Sequence, residues 1–323
     1  MARAGCQSRP DRDPDDHDDP TSNGFPPPPP QEFTLTDPAA PSGPDYRELV
    51  LDDLPAAHRL TQQLKWPHRL EDWQFAERLG HGIVAVDAAD PSALLGTTMY
   101  WTYGDAYASL GLVIVSPRRQ GAGIGRALMD RALRALEGRH VMLNATEEGR
   151  PLYEKLGFVA VGTICQHQGT AFQAPLAPLP AGERLRPVVA SDLPSIAALA
   201  SRASGMTRDA VIAELLSVGN GVAIDRDGTL TGFALFRRFG RGHSIGPVVA
   251  GDLDRAKALI SHWLGQHSGM FMRIDIPAAS GLGDWLEALG LTRVDTGTTM
   301  VKGTPPKEDP QARLFALVNQ ALH

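Results

Sequence analysis

The segment Gln120-Gly121-Ala122-Gly123-Ile124-Gly125-Arg126 has the residue types and spacing best suited to chemistry in this chain. Three alternating glycines strip side chains from a run of backbone amides. A helix-period pattern starts at once, with Ile124, Leu128 and Leu133 flanked by Ala127 and Ala132. Upstream, the β-branched run Leu112-Val113-Ile114-Val115 stops at Ser116-Pro117. A strand, a glycine turn and a helix N-terminus in that order present bare N–H groups to a phosphate or pyrophosphate. A dinucleotide fingerprint is excluded, because Arg126 stands where its third glycine belongs. A triphosphate loop is excluded too, since no Gly-Lys-Ser/Thr ending is present.

A second group follows. His140 to Ala145 reads as the next strand, and Gly149-Arg150-Pro151-Leu152-Tyr153-Glu154-Lys155-Leu156-Gly157-Phe158 reads as a short helix with proline near its start and glycine past its end. Tyr153 in that helix carries an aromatic ring that can pack the helix onto a sheet.

The pattern Gln120-x-x-Gly123-x-Gly125 after a strand ending Val-x-Pro, followed by Leu-Tyr-x-x-x-Gly-Phe, resembles the two landmarks of the GNAT superfamily of acyl-CoA N-acyltransferases. The resemblance implies acetyl-CoA as co-substrate and no metal. It places the diphosphate on the amides of Gln120, Gly121, Ala122, Gly123, Ile124, Gly125 and Arg126. The pantetheine arm then pairs along Val113, Ile114 and Val115, and Tyr153 serves as the general acid at the thioester sulfur. Many family members carry an asparagine seven residues before the tyrosine. Here that position is Thr146, with Asn144 on the strand, so Thr146 is left to cap the helix or to touch the pantetheine. Arg118 and Arg119 stand as alternatives for a 3′-phosphate contact or a solvated surface.

The general base is less determinate. The strand before the glycine loop has no carboxylate, which excludes an in-strand glutamate. His68 and Asp72, in Trp66-Pro67-His68-Arg69-Leu70-Glu71-Asp72-Trp73, and His167, in Gln166-His167-Gln168, remain candidates beside a water chain, with Asp72 better suited to capping a helix. Trp66, His68 and Tyr100 are the candidate acceptor-binding residues. Trp73, Trp101 and Tyr103 belong to the same aromatic group, which core packing also explains.

The elements that must position these groups occur twice. Arg47 to Pro55 parallels Arg186 to Pro194, Gly82 to Asp87 parallels Gly221 to Asp225, Ser109 to Val115 parallels Ser244 to Ala250, and Leu156-Gly157-Phe158 parallels Leu289-Gly290-Leu291. Each half reads as strand, helices, three strands, helix, strand, helix, strand. The fold class is therefore α/β, with two GNAT-like domains, each a mixed, largely antiparallel sheet flanked by helices. The expected boundaries are a tail over 1–45, a catalytic domain over 46–174, a linker over 175–183, a degenerate GNAT-like domain over 184–303 and a tail or helix over 304–323. The second half is degenerate in that Gly251-Asp252-Leu253-Asp254 replaces the glycine loop and Leu286 stands in the place of Tyr153. Past Gly303, Leu314, Leu317, Val318 and Leu322 share one face of a helical pattern.

Composition bounds the rest. Of 323 residues, 42% are hydrophobic and 21% charged, as in globular proteins. Residues 1–45 carry nine acids against three arginines, which equals the whole net charge of −6. The remainder is balanced and shows no basic face for nucleic acid. The tail, with Asp11 to Asp16 and Pro26 to Pro30, is too polar to bury a core and is expected to be disordered. No run of apolar residues suits a membrane span, and two cysteines give no disulfide framework, so cytoplasm is the expected compartment. The expected function is N-acetyl transfer from acetyl-CoA to a primary amine on a small molecule, with the second half completing the acceptor cleft or a homodimer surface. Alternatives are transfer of a longer acyl group and an acyl-CoA-binding regulatory module without catalysis.

Overall fold

The computed structural model describes residues 43–171, 174 and 177–323. The acidic, proline-rich tail lies outside the described residues. Tandem order is as the repeat predicts. The first half runs β1 (Pro44–Glu48), α1 (Leu54–Gln63), α2 (Leu70–Leu79), β2 (His81–Asp87), β3 (Leu94–Tyr103), β4 (Tyr107–Val115), α3 (Ile124–Ala135), β5 (His140–Ala145), α4 (Arg150–Lys155) and β6 (Val159–Thr170). The second runs β7 (Glu183–Pro187), α5 (Leu193–Ser204), α6 (Asp209–Val218), β8 (Gly219–Arg226), β9 (Thr229–Phe239), β10 (Gly242–Ala250), α7 (Leu253–Gln266), β11 (Phe271–Pro277), α8 (Gly283–Ala288) and β12 (Leu291–Lys302), with β13 (Arg313–Ala316) after it.

Local chemistry explains the repeat. Each half opens with a strand whose arginine clamps an aspartate six residues on. Arg47 donates to Asp53 at 2.6 and 2.8 Å, and Arg186 donates to Asp192 at 2.7 and 2.9 Å. Both carboxylates also accept the amide three residues back, from Val50 and Val189. The strand-to-helix turn is thereby fixed before proline starts the helix. In α3, Ile124, Leu128, Met129 and Ala132 make one buried stripe, so the glycine loop enters a helix anchored to the sheet.

All the described strands join one sheet in the order β1-β2-β3-β4-β5-β12-β6-β11-β10-β9-β8-β7, with β13 on β10. Only β4 with β5 and β10 with β11 are parallel neighbours. At the centre the halves exchange their last strands. β12 of the second half lies against β5, and β6 of the first lies against β11. Side chains from the second half are thus carried to the mouth of the first. Helices cover both faces: α1, α2, α5 and α6 share one apolar core that includes Trp73, Trp101 and Phe233. On the other face α3 and α4, the latter through Tyr153, pack with Leu110 and Leu143, and α7 packs Leu259 and Trp263 onto the second half.

The helix expected over residues 310–323 is corrected. Arg313–Ala316 is a strand, antiparallel to β10, and no helix follows it. Four residues beside an open sheet slot gain ladder hydrogen bonds that a short isolated helix lacks.

Candidate active site

Strands β4 and β5 pair only from Tyr107 to Ser109, against His140 to Met142, and then separate. The separation coincides with a bulge. Gly111 faces Met99 and Ile114 faces Thr97, leaving the intervening β4 residues out of register, and Leu112 adopts φ +49°. Thr97 Oγ1 donates to the Leu112 carbonyl at 2.8 Å. The bulged residue is therefore Leu112, while Gly111 allows close approach: a Cβ there would stand 2.7 Å from that of Ala321. A bulge of this kind leaves its extra residue unpaired and interrupts the ladder there.

The glycine loop sits past the end of β4. Gly121 and Gly123 both have φ +79°, and a Cβ at either would meet no protein atom within 4 Å. Glycine is required there by the left-handed backbone and leaves open space above the amides. Gln120, Gly121, Ala122, Gly123 and Arg126 are exposed, whereas the Ile124 side chain is buried, so Ile124 has only its backbone to offer. Arg119 donates to Asp87 at 2.8 Å and Arg126 pairs with Asp130 at 3.0 Å, while Arg118 is exposed.

Tyr153 lies on α4 with its ring buried, edge-on to Phe158 at 6.1 Å between centroids and close against Gly149. Burial pushes its phenol up to about 12, which keeps it protonated at neutral pH. Thr146 Oγ1 accepts the Gly149 amide at 3.2 Å and so stabilises the turn into α4. Asn144 donates to the Gln320 carbonyl at 2.8 Å and accepts from Thr299 at 2.7 Å, a structural tie between the halves.

A cavity of about 330 Å³ opens on the bulge, lined by Gly111, Leu112 and Thr146 together with Trp66 and His68. His68 stands between the rings of Trp66 (5.9 Å) and Phe239 (5.5 Å), and its buried Nδ1 has no hydrogen-bond partner among the described residues. Burial first, and the Arg273 charge second, lower His68 to about 4, so it is neutral and can accept a hydrogen bond.

Other expectations are corrected by side-chain direction. Tyr100 points to the α3 face and packs on His81 at 5.6 Å, away from the cavity, because alternate residues of β3 face opposite sides. Trp73, Trp101 and Tyr103 are core residues, with Trp101 donating to the Ala76 carbonyl at 2.9 Å. Asp72 is buried. Burial opposes its charge, but hydrogen bonds from the Arg69 side chain and from the amides of Arg69 and Gly240 outweigh burial and hold the carboxyl below the usual range. It is a helix cap that ties the halves together. His167 is buried within 3.0 Å of the Leu291 carbonyl, and its neighbours Gln166 and Gln168 line the cavity instead. Sequence reasoning missed Arg241, Arg273, Asp295 and Gln320 of the cavity wall, all of which arrive from the second half.

The equivalent opening in the second half is closed. Strands β10 and β11 pair only at His243 and Ser244, and β13 then fills the gap, pairing Val248 to Ala250 with Ala316 to Arg313 while the Leu317 amide donates to the Asp275 carbonyl at 2.8 Å. At the start of α7, the Asp252 carboxylate accepts the Arg255 amide at 2.9 Å and occupies the helix N-terminus. Leu286, buried, takes the place of Tyr153.

A model of an acetyltransferase (GNAT) domain matches residues 62–174, and another of the same description matches residues 196–316. The uncharacterized N-acetyltransferase YitH of Bacillus subtilis is 31% identical over 220 residues, spanning 66% of this chain and 76% of that protein. The chain belongs to the GNAT acetyltransferases. Among solved structures, a putative acetyltransferase from Pyrococcus horikoshii superposes with a TM-score of 0.72 at 18% identity, over 87% of this chain and 96% of that one. A tandem GNAT protein from the clavulanic acid biosynthesis pathway superposes with a TM-score of 0.59 at 14% identity, over 82% and 100%. This GNAT acyltransferase accordingly has two GNAT halves in one sheet. Among its described residues no group of three or more His, Cys, Asp or Glu is placed to hold a metal ion, and no helix is long and apolar enough to cross a membrane.

Proposed function

We propose that the first half transfers an acetyl group from acetyl-CoA to a primary amine of a small molecule, and that the second half builds the acceptor cleft. The asymmetry of the two openings carries this reading. The gap between parallel strands β4 and β5 is open past Ser109, with exposed glycines before α3; the gap between β10 and β11 is filled by β13, and the Asp252 carboxylate occupies the start of α7.

Acetyl-CoA supplies an activated thioester. The amides of Gly121, Gly123, Gly125 and Arg126, at the positive end of α3, hold its diphosphate. The backbone of Val113, Ile114 and Val115 pairs with the pantetheine as an added strand, and an amide freed at the bulge faces the thioester oxygen, worth on the order of 3 kcal/mol in comparable sites. Tyr153 holds the proton that the departing sulfur needs. Neutral His68 accepts a hydrogen bond from the amine and orients it. A conjugate acid near 4 makes it a weak base, so the amine proton leaves to water through the open mouth of the cavity.

The test is coenzyme A release, followed with a thiol reagent, across a panel of primary amines, with mass spectrometry of the products. Release with a mass gain of one acetyl group on the amine supports the reading. Coenzyme A binding without release on any amine assigns the chain to the non-catalytic acyl-CoA-binding class. Release only with longer acyl donors replaces acetyl by that group.

A further inference from the structure

The charges around the acceptor cavity are unevenly satisfied. Arg273 is spent: its guanidinium forks onto Asp275 at 2.8 to 3.1 Å and its face covers Phe239 at 5.1 Å. Three other charged side chains of the wall are exposed and make no ion pair among the described residues. Lys65 lies in the loop after α1, and Arg241 lies in the β9–β10 turn; both line the cavity from loops. Asp295 lines it from β12, where that strand slips register against β6 opposite Gln166. Its only hydrogen bond among the described residues comes from the amide of Thr296 at 2.8 Å. From Asp295 a line of neighbours leads to the reaction centre. Gln166 is paired with it across the strands, Gln320 approaches Gln166 at 3.4 Å, and Asn144 on β5 holds the Gln320 carbonyl.

We infer that the acceptor is a small zwitterion: an amine that enters on the Asp295 side, toward Gly111 and Leu112, and a carboxylate held by Arg241 and Lys65. This rests on the proposed acetyl transfer and names its substrate class. Two unpaired cations and one unpaired anion line the same cavity, so an uncharged amine leaves both cations unmatched, and a polyamine meets repulsion from them. Guanidinium suits a carboxylate because its donors are planar and fixed. A volume of about 330 Å³ is at the small end of ligand pockets and accommodates a molecule of amino-acid size. The rings of Trp66 and Phe239 give the body of such a molecule an apolar wall.

The experiment uses the full chain and acetyl-CoA with matched triplets of acceptors: an amino acid, its carboxamide and the amine lacking the carboxyl group. The expected result is kcat/KM at least about tenfold higher for the amino acid than for either partner of its triplet, the scale of one charge-assisted contact. In Arg241→Gln the ratio falls toward one, through KM for the amino acid, and in Lys65→Gln/Arg241→Gln it falls further. Asp295→Asn raises KM for all three members alike. Both cations are exposed, so the variants fold, which circular dichroism checks. Release of coenzyme A at equal rates from all members of each triplet overturns the inference and leaves acetyl transfer standing. Release from no amine overturns both.

Discussion

The glycine loop offers a controlled test, because Gly138 has the same backbone as Gly121 and Gly123 at a site with no proposed ligand. All three have left-handed φ values, +79°, +79° and +83°, and at all three a Cβ would meet no atom within 4 Å. Alanine at any of them therefore costs the same kind of energy, about 1–2 kcal/mol of backbone strain, or about 2–4 °C in Tm for each kcal/mol in a chain of this class. The variants differ only in what the new methyl displaces. At Gly123 it enters the space over the α3 amides and turns one of them off the diphosphate. A charge-assisted hydrogen bond of that kind is worth about 1.5–3 kcal/mol, so coenzyme A should bind about 10- to 100-fold more weakly to Gly123→Ala. Gly138→Ala should match it in melting temperature and bind as the unaltered protein does. Isothermal titration calorimetry with coenzyme A, beside thermal melts, reads both quantities. Equal affinity in Gly123→Ala and Gly138→Ala would refute the reasoning and reduce the loop to an ordinary turn.

Tyr153→Phe should lower kcat by about ten- to a thousandfold with little change in Tm, since the hydroxyl makes no hydrogen bond among the described residues; an unchanged kcat removes Tyr153 from the reaction. Because burial raises its phenol to about 12, Tyr153 should impose no alkaline fall in rate up to pH 10, and a titration near 9 assigned to it by Tyr153→Phe would contradict its burial. Asp72→Ala leaves Arg69 and buried Arg237 facing an empty site, and should cost on the order of 3–5 kcal/mol in urea unfolding; a loss under about 1 kcal/mol would show that the carboxylate does not tie the halves together. Stability should fall as pH drops below 6.5. His68 at about 4 and His323 at about 3 stay neutral when folded but take up protons when unfolded, and half-buried His243 and His262, lowered first by burial, add the same sign. The urea midpoint should decline from pH 6.5 toward 4, less steeply in His68→Gln; a flat profile over that window would contradict the burial of these rings.

The tandem α/β order was legible because each element carries its own local signal: strand runs bounded by glycine, proline at helix starts, and an Arg–Asp clamp repeated at Arg47 and Arg186. The glycine turn from Gln120 to Arg126 and the helix after it were legible for the same reason, as their conformation is set by neighbouring residues. What was illegible depends on pairing. Exchange of β6 with β12 changes no local pattern, yet it alone brings Asp295 to the first half's cavity. The four residues of β13 fit helix and strand periods equally, and the slot beside β10 decided between them. At Gln166-His167-Gln168 the histidine drew attention, but strand alternation turned it inward and gave both glutamines to the cavity. Tyr100 failed likewise, on the wrong face of a strand whose direction the sequence leaves open.

The central claim is that one half holds the thioester carrier and the other has closed its own opening. A crystal structure of the complex with acetyl-CoA tests it most directly. One molecule per chain is predicted, with its diphosphate on the amides of Gly121 to Arg126 and its sulfur between β4 and β5 beside Tyr153. Electron density for the carrier between β10 and β11, with β13 displaced, would contradict the account.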